Sequence, residues 1–136
     1  MRTELFDARP ARKSASLATQ EPAMKFIESC EAFGWLVSER DRAVMLEIRH
    51  ATGDITALPY HLLESAKFNP STGITLSFSG TEVTITGSNL NTEVKPGVRL
   101  FEVLTRHRVV WIQQEDEVGS LDSDATGVII ADVKIG

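Results

Sequence analysis

Residues 73–90 read GITLSFSGTEVTITGSNL, and apolar and polar residues alternate on both sides of a Gly-Thr pair. A period of two is what a strand with one buried face requires, because successive side chains leave the backbone on opposite sides. Gly80-Thr81 separates the halves. A two-residue loop there pairs Phe78 with Val83, Leu76 with Ile85 and Ile74 with Gly87, and a glycine in first position suits a type II′ turn. All the apolar side chains then fall on one face. Thr75, Ser77, Thr84 and Thr86 cover the other, as in an antiparallel sheet with one face packed and one facing water or a partner. Folding alone accounts for this pattern, so the hairpin needs no catalytic role.

The segment PAMKFIESCEAF, 22–33, has helical spacing. Pro22 suits the first turn and Gly34 the position beyond the end. Ala23, Met24, Phe26, Ile27, Cys30 and Phe33 share one broad face, with Lys25, Glu28, Ser29 and Ala32 opposite. Cys30 reads as a small buried hydrophobe within that face. Trp35-Leu36-Val37 forms a short strand. AVMLEIR, 43–49, forms a strand with Val44, Leu46 and Ile48 on one face. It turns at Thr52-Gly53, so that His50 meets Ile55 and Ile48 meets Ala57. Pro59 confines the returning strand to an edge or an end. HLLESAKF, 61–68, reads as a short helical turn stopped by Asn69-Pro70. A second helix spans about 96–106, with Leu100, Phe101, Val103 and Leu104 on its apolar side. VVWIQQ, 109–114, and GVIIADVKI, 127–135, complete the set as strands, with the acidic loop 115–127 between them.

This order has no internal repeat and no regular strand–helix alternation. It predicts an α+β domain on a mainly antiparallel sheet, with a partly open barrel as a variant. Residues 21–136 form that single domain. Residues 1–20 lack apolar periodicity and read as a flexible basic arm.

Charge separates the two parts. The arm holds Arg2, Arg9, Arg12 and Lys13 against Glu4 and Asp7, a surplus of two positive charges. The remainder holds ten basic and seventeen acidic residues, within a chain of net charge −5. An acidic body repels phosphate backbones unless its cations cluster. The single cysteine allows no intrachain disulfide and suits a reducing cytosol. No apolar run approaches the roughly 18 residues of a membrane span, and the first residues lack a signal-peptide core. The expected location is cytoplasmic, with no membrane partner.

Chemistry-bearing motifs are sparse. DSDATG, 122–127, opens like a calcium loop, but its twelfth position is Val133, where a bidentate Glu is needed. It reads as an acidic solvated loop. His50, His61 and His107 have no metal-ligand spacing. No phosphate-binding glycine loop and no nucleophile elbow is present. Neither cofactor nor metal is expected, and the enzyme reading leans negative. The most suggestive basic feature is TRHRVVWI, 105–112. Arg106 and Arg108, with Lys95 and Arg99, are candidate phosphate-binding residues, and Trp111 could stack a base. Against that, Glu102 lies at helical pairing distance from both Arg99 and Arg106.

Four short patterns carry a resemblance. They are Leu58-Pro59-Tyr60, Phe68 with Pro70, the run Val83, Ile85, Gly87, Asn89 and Leu90, and His107-Arg108-Val109 with Trp111-Ile112. Together they resemble a family of small uncharacterised bacterial proteins over residues 58 to about 116. That family carries no assigned activity, so the resemblance implies no site residues.

Three readings follow. The first is a non-enzymatic binding or assembly module that associates through a sheet edge or face, as a homo-oligomer or with a protein partner. Its candidate interface residues are Trp35, Met45, Tyr60 and Trp111, since aromatics and Met are favoured in interface cores. Each of the four also reads as core, which is the commoner fate of such side chains. The terminal strand 128–135 offers an edge that needs an intrachain or intermolecular partner. The second reading is a nucleic-acid-binding module using the arm and Arg106/Arg108, disfavoured by net charge. The third is a small enzyme or metal-dependent protein whose site converges from distant positions.

Overall fold

The computed structural model describes residues 26–116 and 127–136. The expected N-terminal helix is absent from residues 26–33. In its place are two strands, β1 (Ile27–Ser29) and β2 (Phe33–Leu36), joined by a tight turn in which the Cys30 N–H donates to the Phe33 carbonyl. The helical spacing yields to tertiary packing here. Phe33 and Trp35 are both buried, with ring centroids 5.3 Å apart. Residues two apart share a face in a strand but point nearly oppositely in a helix. Phe26 and Ile27, assigned to the helix's buried face, are instead 84% and 52% exposed. Residues 22–25 of that segment lie outside the described residues.

The chain continues through β3 (Met45–Arg49) and β4 (Ile55–Pro59) to a single 3-10 turn at Tyr60–Leu62. β5 (Leu63–Asn69), β6 (Gly73–Phe78) and β7 (Thr81–Ser88) follow, then the helix α1 (Leu100–Thr105), β8 (Val109–Gln113) and β9 (Ile129–Ile135). The fold is therefore mostly β, and the α+β expectation is corrected. The helix expected over 96–106 shrinks to the six residues of α1. The helical turn expected over 61–68 survives only in its first residues and becomes β5.

Two sheets result. The first has the order β9-β7-β6-β5, all antiparallel. The second has the order β1-β2-β8-β3-β4, in which β3 and β8 run parallel and the other neighbours antiparallel. The 3-10 turn carries the chain from the second sheet into the first. Both sheets turn apolar faces to one core. Phe33, Trp35, Leu46, Ile48 and Ile112 come from the second, and Ile74, Leu76, Phe78, Val83, Ile85 and Ile130 from the first. Leu100, Val103 and Leu104 of α1 join the same core.

The hairpin 73–88 forms with the expected faces and a displaced register. Phe78 pairs with Thr81, Leu76 with Val83 and Ile74 with Ile85, so the loop is Ser79-Gly80. A shift of two residues keeps every side chain on its face, whereas a shift of one would have inverted the sheet. Gly80 takes φ +79° in the second loop position, which a non-glycine residue adopts rarely. The β3–β4 register also differs from expectation. Ile48 pairs with Thr56 and Arg49 with Ile55, and the loop spans residues 50–54.

Three strands share a disguise. The pairing slips by one residue between Leu63 and Ser65 and between Ile130 and Asp132. It slips again where Gly34 and Trp35 face Trp111 and Val109. Each extra residue stretches an inward spacing of two to three, giving Leu63 to Ala66, Val109 to Ile112, and Ile130 to Val133. Such bulges bend and twist a strand locally. In sequence they imitate helical spacing, which explains the misreading of 61–68.

Candidate functional site

The bulge opposite Gly34 shapes the outer face of the second sheet. Val109 and Ile112 are fully buried, while Val110 and Trp111 are each half-buried. The Trp111 indole lies over Gly34. A Cβ there would stand 2.5 Å from the indole Nε1, so only glycine leaves room for the ring. The Arg49 guanidinium covers Trp111 at 4.5 Å from the ring centroid and reaches Glu47 at 3.2 Å. A cation over an indole face is attracted by the ring quadrupole.

Beside this arrangement is an apolar groove. Ile27, Leu36, Arg42, Ala43, Val44, Met45 and Val110 line it. Leu36 is buried, whereas Val44 is 80% exposed and Met45 and Ile27 stand open to solvent. Phe26 adjoins Ile27 at the start of β1. The outer edge of β1 pairs with no strand among the described residues.

The four candidate interface residues therefore divide. Trp35 and Tyr60 belong to the core. The Tyr60 hydroxyl donates to the Val109 carbonyl at 2.7 Å, and burial pushes its pKa far upward. Met45 and Trp111 lie on the outer face. Sequence reasoning missed Ile27 and Val44, which it had assigned to apolar faces of a helix and a strand. The terminal strand found an intrachain partner, since β9 pairs along β7.

The four basic candidates do not form one stripe. Arg106 pairs with Glu102 at 2.8 Å, and Arg99 donates to the Asn91 carbonyl at 2.9 Å. Lys95 pairs with Glu28 at 3.0 Å. Arg108 is buried, and its Nε and one terminal nitrogen donate to the Leu36 and Val37 carbonyls, each at 2.9 Å. Lys95 and Arg108 line a common cleft that excludes the other two.

The histidines stay in separate surroundings. His50 contacts the Thr56 hydroxyl at 3.3 Å, and His61 is exposed in the 3-10 turn. His107 closes α1. Its φ is +58°, the Arg108 N–H reaches the Val103 carbonyl, and the His107 N–H reaches the Leu104 carbonyl. This is the Schellman termination, usually made with glycine. Here the ring stacks on Tyr60 at 4.7 Å. Partial burial, then the charge of Arg42, holds the His107 pKa below its ordinary value. Among the described residues, no three His, Cys, Asp or Glu side chains converge as a metal site. Residues 122–126 of the calcium-like loop lie outside the described residues. Nor does any described helix have the length and apolarity to cross a membrane. No family model, no curated protein and no solved structure matches this chain.

Proposed function

We propose that the chain is a non-enzymatic assembly module that pairs with a second copy of itself across the β1 edge and the groove beside it. The observation that carries this reading is the exposed apolar cluster of Ile27, Val44 and Met45 around the buried floor of Leu36, with Phe26 exposed next to Ile27 in the chain. Contiguous exposed apolar surface marks interaction sites in soluble proteins. The outer edge of β1, which pairs with no strand among the described residues, argues for a second copy as the occupant. Antiparallel pairing of β1 with its equivalent generates a two-fold axis, and an isologous contact uses one patch twice. A stable dimer needs about 800 Å² per partner. The three residues of β1 fall short of that alone, so Val44 and Met45 of the groove, with Phe26 beside β1, supply the remaining area. The chain's single cysteine and unstapled core suit the cytoplasm.

Native mass spectrometry tests the reading. The wild type should be a dimer, and the Ile27→Asp/Val44→Asp variant a folded monomer by circular dichroism. A wild type that stays monomeric across concentration would overturn the proposal. So would a double variant that remains dimeric.

A further inference from the structure

The cleft shared by Lys95 and Arg108 has a chemistry that self-association does not use. Trp35, Val37, Pro96, Gly97 and Val98 form its walls, and Glu28 and Glu39 its acidic rim; its volume is about 330 Å³. Arg108 is 5% exposed. A guanidinium has five N–H donors. Two are taken by the Leu36 and Val37 carbonyls, and no carboxylate among the described residues pairs with Arg108. A charge withdrawn from water without a counter-ion is costly. The two carbonyls hold the guanidinium in a fixed plane with its remaining donors unassigned, and a planar fork of donors matches a carboxylate in two parallel bonds.

We propose that this cleft binds the carboxylate of a small organic acid, with Arg108 as its primary partner and Lys95 as its second. The rim sets the charge of the ligand. Glu28 and Glu39 oppose a second negative charge, so a singly charged carboxylate fits better than a phosphate dianion or a nucleic-acid backbone. Lys95 is free to re-pair, because its bond to Glu28 is exposed on both sides and such surface pairs hold weakly. The cavity falls within the size range of small-molecule sites.

The test follows the Arg108 Nε–Hε signal by nuclear magnetic resonance during titration with acetate and, separately, inorganic phosphate. Sodium chloride keeps ionic strength constant. Acetate should shift the signal to saturation, and phosphate should bind more weakly. Glu39→Gln should tighten acetate binding about threefold and Lys95→Gln should weaken it about threefold, the scale of a single exposed charge. Both side chains are at the surface, so both variants should fold. A shift that never saturates would reduce Arg108 to a structural pin for the end of β2. Tighter binding of phosphate than of acetate would overturn the assignment to a singly charged group. If Glu39→Gln moves the Arg108 signal without acetate and destabilises the fold, Glu39 is the counter-ion and the ligand site is disproved.

Discussion

The outer faces of the two sheets are built on opposite plans. Across the first sheet one row runs Lys67, Thr75, Thr84 and Lys134, from edge strand to edge strand. Hydroxyls occupy the middle and lysines the ends, an arrangement that stays hydrated and discourages edge pairing. Across the second sheet the corresponding row runs Ala57, Glu47, Trp111, Gly34 and Ser29. An indole fills its centre over a glycine, and the groove of Val44 and Met45 lies alongside. The first face presents polar groups that water solvates well along this row. The second leaves apolar surface that water covers poorly, and this difference directs the search for partners to one side of the molecule.

Substitutions can break the contrast or sharpen it. The deepest break is inside the first sheet. Ile85→Ala empties a fully buried position and should lower stability by about 2–5 kcal/mol in urea titration. Gly34→Ala should lower it by about 1–3 kcal/mol, as overpacking does, and should lift Trp111 off the second sheet. Tyr60→Phe should lower stability by about 1 kcal/mol, by removing the hydroxyl that ties the turn between the sheets to β8. Thr84→Ala, on the hydrated face, should change stability by less than about 0.5 kcal/mol. The smallest effect belongs to pH. His107 binds its proton less readily folded than unfolded, so the unfolded state protonates first as pH falls below 6.5. Stability should therefore be flat above pH 6.5 in this respect and decline from there toward the lower folded pKa. His107→Gln should flatten that limb of the pH profile.

How much of this was legible in the sequence depended on the regularity of each strand. Residues 74–78 and 83–86 alternate without interruption, and both faces of the hairpin are readable, with only the loop displaced. The strand 109–113 was also placed correctly. Residues 26–33 depart from the helix their spacing predicts because helical spacing is a local property, whereas the burial of Phe33 and Trp35 depends on β8, more than 70 residues away. A bulge conceals β5. A strand with one extra residue shows the three-residue spacing of a helix, and nothing local marks the difference. The candidate sites had the same limit. Arg108 drew notice as part of a basic run, but its burial against Leu36 and Val37 is a long-range fact. Of the exposed apolar residues that line the groove, only Met45 is among the candidates the sequence offers.

The two tryptophans differ in their surroundings, one sealed in the core and one half-buried over Gly34 on the outer face. Their fluorescence should separate accordingly. Emission from Trp35 should be blue-shifted and resist iodide, while emission from Trp111 should be red-shifted and quenched. Contact across the outer face of the second sheet, where Trp111 lies, should protect only the second, so the chain carries its own optical gauge of contact, with no label attached.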